Sequence, residues 1–346
     1  MNLHRRQFLL TGLAARALMA QTASQPPIVN KGFAAVNKLA DGVYATIADP
    51  SKGPQCLSNG GIVAGRDAVL LIEGHMQPAA AALEIEAARV ISKAPIRAAI
   101  NTHFHLDHTF GNLAYAEARI PILAHERVGT LMKERYAANK GVNHSDVVAP
   151  LEKRLAAASN PTDKQHLQSD LGAAKWMYDA IDSTTLAFPT ESLAQGSLPT
   201  KIDLGGLTAV IEFHLGHTPT DLIVRIPERD IVFTGDLLFY RQYPISIDAD
   251  MISWRKALDE FARYDRRTQF VPGHGSVCGL EAVHEQMDLL DDLRAHAEKM
   301  MRAGANADEA ERRYTVPKRF ENFPVFSWNW TIGAGLVSLY SGLKRA

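Results

Sequence analysis

The segment from Asn101 to His108 concentrates side chains that bind metal ions. It places His103, His105, Asp107 and His108 in the pattern H-x-H-x-D-H, in a chain with 13 histidines among 346 residues. Imidazole nitrogen and carboxylate oxygen are the ligands that zinc and related divalent ions prefer. The pattern therefore predicts metal chemistry. The alternative is a polar loop whose histidines cap the next helix.

The neighbouring sequence indicates how this segment is positioned. Ile96, Ala98 and Ile100 alternate with other residues, which predicts a short half-buried strand, and helix-prone sequence begins near Leu113. The motif then lies in a strand-to-helix loop, where α/β folds place their sites. In such a loop its first two histidines can face one ion while its aspartate and last histidine face another.

Three further ligand-type residues occur in the same setting. His217, Asp236 and His274 each follow an apolar, strand-like run and lie next to glycine. Glycine permits backbone angles that other residues resist and leaves room near an ion. Taken singly, such an aspartate is often a helix N-cap and such a histidine a turn residue. Together with the first motif, they favour one shared site built at strand ends.

The combined motifs resemble those of the metallo-β-lactamase superfamily. Beside the H-x-H-x-D-H run they are G-H-T-P at Gly216–Pro219, T-G-D at Thr234–Asp236 and P-G-H-G at Pro272–Gly275. The resemblance extends roughly from Leu39 to Leu290. It implies an α/β fold of the αββα sandwich type, with two mixed sheets back to back, helices outside and a dinuclear site at one edge.

The resemblance also implies a ligand set. Two zinc ions are expected, with iron or manganese as alternatives, and seven residues would hold them: His103, His105 and His217 for the first ion, Asp107, His108 and His274 for the second, and Asp236 between the two. A hydroxide shared by the ions would attack a carbonyl group or a phosphorus. Asp107 and Asp236 would be the catalytic carboxylates, and no covalent intermediate is expected.

Residues around the ligands are less well defined by the sequence. Thr218, beside a ligand, is predicted to hydrogen-bond it, and Glu73 ends a strand where the family usually has aspartate. Arg241 and Tyr243 are candidates for binding a substrate carboxylate. The residues that contact substrate are otherwise undetermined.

The expected reaction is hydrolysis of a lactone, cyclic amide, ester or thioester. A β-lactamase proper is one alternative, but those enzymes usually lack an aspartate at the position of Asp236. An iron-dependent oxygenase of persulfides is the other. Such mononuclear enzymes do not need the equivalent of His274, and His105 argues against the flavin-linked diiron type, which has glutamate there.

The first 25 residues resemble an export signal. Arg5 and Arg6 precede Phe8 and an apolar stretch that continues to Ala20, which predicts a periplasmic or secreted protein exported by a twin-arginine-like route. No other stretch reaches about 18 uninterrupted apolar residues, so no membrane span is expected.

Composition limits the partners. The chain is 46% hydrophobic, enough for a large core, and its net charge is −1. That charge gives no electrostatic case for binding nucleic acid, so a small-molecule substrate is expected. The oligomeric state is left open, as is the question of whether Cys56 and Cys278 form a disulfide.

The remaining sequence suggests additions to the sandwich. Residues 26–300 are predicted to form the metal-binding domain, with a helical insertion at about 124–194, followed by a C-terminal extension at 301–346. The insertion is either a lid that shapes the substrate pocket or a structural layer, and Trp176, Met177 and Tyr178 within it are predicted to be core residues. The aromatic segment Phe320–Trp330 either covers the mouth of the site or mediates self-association, with core packing as the preferred interpretation.

Overall fold

The chain folds into two mixed β-sheets packed face to face, according to a computed structural model that describes residues 26–345. The predicted export signal lies outside these residues. The first sheet contains strands in the order β1 to β8, with β5 to β8 parallel to one another: β1 (Val29–Asn30), β2 (Ala34–Ala40), β3 (Val43–Ala48), β4 (Gly60–Ala64), β5 (Val69–Ile72), β6 (Ile96–Ile100), β7 (Ile122–His125) and β8 (Glu191–Leu193).

The second sheet has the order β13-β12-β11-β10-β9, in which only β12 and β13 are parallel. Its strands are β9 (Thr200–Asp203), β10 (Thr208–Phe213), β11 (Leu222–Ile226), β12 (Ile231–Phe239) and β13 (Gln269–His274). The helices within the described residues are α1 (Pro78–Ile91), α2 (Asn112–Glu117), α3 (Val128–Arg135), α4 (Ser145–Ala157), α5 (Pro161–Ser183), α6 (Met251–Phe261), α7 (Leu280–Arg302), α8 (Ala307–Arg313) and α9 (Ala334–Leu343).

Alternation of apolar side chains along the strands produces the layers. In β5, Leu70 and Ile72 face the second sheet, whereas Val69 and Leu71 face helices α1 and α2. Successive side chains of a strand point to opposite faces, so a strand that is apolar throughout is buried on both sides. In the second sheet Phe233 joins the core between the sheets. The predicted αββα sandwich is therefore confirmed.

Helices α6, α7 and α9 cover the outer face of the second sheet, where Trp254 and Phe270 are fully buried. Helices α3, α4 and α5 lie between β7 and β8, in the range predicted for the helical insertion. Helices α3 and α5 contribute to a separate apolar cluster that also includes Phe104, Phe110 and Tyr136. Since Phe104 lies inside the H-x-H-x-D-H motif, the insertion packs directly against the motif.

The strand ends that the sequence analysis singled out meet at one edge of the sandwich. The motif at His103–His108 follows β6 of the first sheet, while His217 follows β10 and His274 ends β13 of the second. The backbone N–H of Leu222 donates to Thr102 O at 2.8 Å, which joins the two sheets beside the motif. No helix within residues 26–345 is long and apolar enough to cross a membrane.

Candidate metal centre

The structure brings the seven predicted ligands together. Their ligand atoms form two groups, and within each group the atoms lie within 4.8 Å of one another: His103, His105, His217 and Asp236 in the first, and Asp107, His108 and His274 in the second. His105 and His217 are 112 positions apart in the sequence, so the fold rather than local sequence creates the cluster.

Asp236 lies between the two groups. Its Oδ1 is 3.1 Å from His108 Nε2, and its Oδ2 is 3.3 Å from His274 Nε2 and 3.4 Å from His217 Nε2. Each oxygen of one carboxylate can accept from more than one partner. The side chain is therefore placed to serve both groups, as a bridging ligand must.

Two glycines leave room for Asp236 to approach the histidines of both groups. A Cβ on Gly273 would lie 1.9 Å from Asp236 Oδ1, which no side chain permits. Gly235 has φ +50°, and a Cβ there would lie 2.5 Å from Thr102 Oγ1. Glycine adopts such backbone angles at little cost. The glycines of the T-G-D and P-G-H-G motifs are thus required at this edge because a side chain at either position would clash with its neighbours.

The cluster fits divalent metal ions. His103 Nε2, His108 Nε2, His274 Nε2 and Asp236 Oδ1 are buried, and within the described chain none of these atoms has a hydrogen-bond partner of acceptable geometry. A buried polar atom without a partner costs about 1–3 kcal/mol. Convergent imidazole nitrogens and carboxylate oxygens are a donor set for zinc, iron or manganese. A bound cation would satisfy these atoms together.

The two groups differ in charge state before any cation binds. Burial lowers the pKa of His217 to about 3 and that of His103 well below its ordinary value, so both imidazoles are neutral. Burial also opposes the charged form of His274, but the carboxylates of Asp236 and Asp107 together outweigh burial and raise its pKa to about 10. The pKa of His108 is raised in the same way. A cation must therefore displace protons from the second group.

His105 is oriented by a carboxylate that the sequence analysis missed. Its Nδ1 lies 2.9 Å from His217 Nε2, on the side of the cluster, and its Nε2 lies 2.8 Å from Asp248 Oδ2. Asp248 in turn forms an ion pair with Arg135, at the end of α3. A carboxylate that accepts from Nε2–H leaves the Nδ1 lone pair free for a metal ion. No motif surrounds Asp248, and 143 residues separate it from His105, so no sequence signal indicated it.

Glu73 contacts the ligand His108, as expected for a residue behind the metal ligands. Its Oε2 lies 3.2 Å from His108 Nδ1, and both side chains are buried. The backbone of Glu73 has φ +88°, an unfavourable angle for a side chain of this size. Tyr115 holds this turn, because its hydroxyl donates to Glu73 O at 2.7 Å. The side chain of Glu73, which is longer than that of aspartate, thus reaches His108 from a strained turn.

The prediction that Thr218 hydrogen-bonds a ligand is wrong. Its hydroxyl donates to Asp221 Oδ1 at 2.5 Å, and its backbone N–H donates to Asp221 Oδ2 at 2.8 Å. In a tight turn, an aspartate three residues after a threonine can accept hydrogen bonds from both the hydroxyl and the backbone N–H of that threonine. His217 Nδ1 instead lies 2.9 Å from the carbonyl oxygen of Ile245.

Cys56 and Cys278 are both free and buried, and neither belongs to the cluster. Cys56 Sγ lies 3.5 Å from Nδ1 of His75, whose Nε2 is 3.0 Å from Glu84 Oε1. All three side chains are inaccessible to solvent. This network packs behind the turn that carries Glu73 and is a structural element of the first sheet.

A cavity of about 300 Å³ opens beside the cluster. His105, Asp107 and His274 line it on the side of the cluster, and residues of α5 and the C-terminal extension form part of its walls. Trp176 and Met177 pack against the core, as predicted, but they also line this cavity. The expectation of core packing alone was therefore incomplete for them.

The aromatic segment of the C-terminal extension also lines the cavity. Phe320 and Trp328 are buried core residues, whereas Phe326 is 45% exposed and lies with Trp330 on the cavity wall. The preferred interpretation of core packing is thus right for part of the segment, and another part lines the cavity.

The chain matches a family model described as the metallo-beta-lactamase superfamily over residues 53–274. Uncharacterized proteins of Mycobacterium bovis and Mycobacterium tuberculosis are 34% identical to it over 101 residues, which is 27% of this chain and 45% of theirs. The match thus spans less than half the length of those relatives.

Solved structures are similar in fold. A metallo-beta-lactamase from Pontibacter korlensis aligns with a TM-score of 0.53 and 19% identity, over 75% of this chain and 99% of its own. A stereoselective inverting sec-alkylsulfatase from Pseudomonas sp. aligns with a TM-score of 0.58 and 15% identity, over 89% of this chain and 50% of its own. Since the family model covers more than half of the sequence, this chain belongs to the metallo-β-lactamase superfamily.

Proposed function

We propose that this protein is a metal-dependent hydrolase that binds two zinc ions and attacks the carbonyl group of a lactone, cyclic amide, ester or thioester. The observation that carries the proposal is the pair of donor groups joined by Asp236, with a cavity opening directly onto them. Two zinc ions would supply a hydroxide nucleophile at neutral pH and a Lewis acid for the carbonyl oxygen.

The ligands divide into two sets. His103, His105 and His217 would hold the first ion, and Asp236 would be shared. The low pKa of His217 keeps that imidazole neutral and ready to bind. Asp107, His108 and His274 would hold the second ion.

Asp107 has a further role in the reaction. Its side chain is 18% exposed and lines the cavity, unlike the fully buried His108. Its Oδ2 lies 3.3 Å from His274 Nε2. This carboxylate is placed to orient the attacking water by accepting one of its hydrogen bonds, and to pass a proton towards the leaving group.

The cavity lining supports attack by water rather than by a side chain. Among the described residues that line it there is no serine, cysteine or lysine. Serine, cysteine and lysine are side chains that form covalent intermediates with carbonyl substrates. Direct addition of water to the carbonyl carbon, followed by breaking of the bond to the leaving group, is therefore the reaction that this lining favours.

The proposal is tested with zinc-loaded protein, a lactone, a thioester and a chromogenic cephalosporin, each with and without a chelator. Chelator-sensitive hydrolysis of the lactone or thioester is expected, and His105→Ala should abolish it. His284→Ala is the matched control, since His284 is exposed on α7. Turnover of the cephalosporin alone would instead assign the protein to the β-lactamases proper. Hydrolysis that survives the chelator would refute the proposal.

A further inference from the structure

The cavity beside the cluster has mostly apolar walls, and part of these walls comes from outside the sandwich. Trp176 and Met177 belong to α5 of the insertion, and Val325, Phe326 and Trp330 belong to the C-terminal extension. The two segments meet where the rings of Trp176 and Phe326 pack edge to face, with centroids 5.4 Å apart. The aromatic side of the pocket is thus completed by two segments that are additions to the sandwich.

The lining offers no free positive charge. Apart from the histidines of the cluster, the only cation among the described lining residues is Arg135, and Asp248 already neutralises it. Arg241, a sequence candidate for binding a carboxylate, lies over the ring of Tyr240, 5.2 Å from its centroid, and is absent from the lining. A carboxylate buried here would lose its hydration without gaining a partner.

The floor of the cavity fixes the position of the reacting group. His105, Asp107 and His274 line it, so a group that fills the cavity has its inner end at the cluster. The volume of about 300 Å³ lies at the lower end of the range for small-molecule pockets. It suits one alkyl chain of medium length or a single ring.

We infer that this cavity binds an uncharged apolar acyl or alkyl group attached to the scissile carbonyl, and that Trp176, Phe326 and Trp330 determine that specificity. The inference rests on the proposed hydrolase function and names its substrate class. Each methylene group that the cavity buries should raise kcat/KM about fourfold until the cavity is filled. A carboxylate at the far end of the acyl chain should remove most of this increase in kcat/KM.

The test uses zinc-loaded protein and a series of thioesters whose acyl chains lengthen by single methylenes, with matching chains that end in a carboxylate. Phe326→Ala should lower kcat/KM for the longer acyl chains about tenfold or more, and by much less for the shortest acyl chain, so that the dependence on chain length flattens. The matched control is Phe323→Ala, because Phe323 lies in the same segment but outside the cavity lining. Equal kcat/KM along the neutral series, or faster turnover of the carboxylate series, would overturn the inference.

A binding measurement separates this inference from the proposed function. An ω-bromo alkanol should quench the tryptophan fluorescence of metal-free protein, and Trp176→Phe together with Trp330→Phe should remove most of the quenching. Quenching without any hydrolysis would support the cavity assignment and contradict the hydrolase. Hydrolysis without quenching, and without chain-length dependence, would contradict the cavity assignment alone.

Discussion

Replacing Asp248 with alanine should weaken metal binding at the first group of ligands. The Asp248 carboxylate lies 2.8 Å from His105 Nε2, and its side chain is only 15% exposed. The aspartate is ionised, because its hydrogen bond with His105 and its ion pair with Arg135 outweigh burial and hold its pKa well below the ordinary value. Without it, His105 has no partner that selects the tautomer with a free Nδ1 lone pair.

The size of the effect follows from this contact. A hydrogen bond to a charged group contributes about 1.5–3 kcal/mol, and loss of such a partner behind a ligand typically lowers metal affinity about 10–100-fold. We therefore expect the apparent Kd for zinc to rise about 10–100-fold in Asp248→Ala. In Asp248→Asn the rise should be smaller, since the amide oxygen still accepts from Nε2–H. Competition with a chromogenic chelator measures both values.

Asp250 provides the matched control. It lies two residues further along the same loop and caps α6, where its side chain accepts from the N–H of Ser253 at 2.9 Å. Asp250→Ala should lower the free energy of unfolding by about 1 kcal/mol and leave zinc affinity unchanged. Unaltered zinc affinity in folded Asp248→Ala, or an equal loss in both variants, would refute the reasoning.

Three other outcomes are expected. Asp236→Ala should bind fewer than two zinc ions per chain by atomic absorption, and retention of two at undiminished affinity would exclude a bridging role. Zinc binding at neutral pH should release protons from His108 and His274, whose pKa values are raised, so zinc affinity should increase with pH. Calorimetry in buffers of different ionisation enthalpy counts the released protons, and a count of zero would contradict this expectation. Glu84→Gln should lower the free energy of unfolding by about 3 kcal/mol in chemical denaturation, because the pKa of buried His75 is raised and the variant removes the negative charge beside it, whereas full stability would indicate that the charge pair is dispensable.

The strand ends and their ligand-type residues could be predicted because their signals are local, and the sandwich was implied by the resemblance of the combined motifs to a known family. Alternating apolar residues in Ile96–Ile100 specify a strand, and the H-x-H-x-D-H motif follows this strand almost directly in the sequence. The ligands that arrive from other strands each carry their own glycine-containing turn. Each of these segments is recognisable without knowledge of its partner.

The surroundings of the cluster could not be predicted because they depend on contacts between distant segments. The pairing of Asp248 with His105, like the meeting of Trp176 and Phe326, joins residues that share no motif. Thr218 was misassigned because its nearest acceptor, Asp221, is determined by the geometry of a turn. Side-chain partners of this kind follow from tertiary packing, which a single sequence does not encode in a readable pattern.

Stepwise addition of zinc to the metal-free protein, with hydrolysis of a neutral thioester recorded at each step, tests the account most directly. Activity should be absent without metal, rise to a maximum as two equivalents bind, and stay absent throughout the same titration of His105→Ala. Full activity in metal-free protein, or in His105→Ala, would contradict the assignment of this cluster as a dinuclear hydrolytic centre.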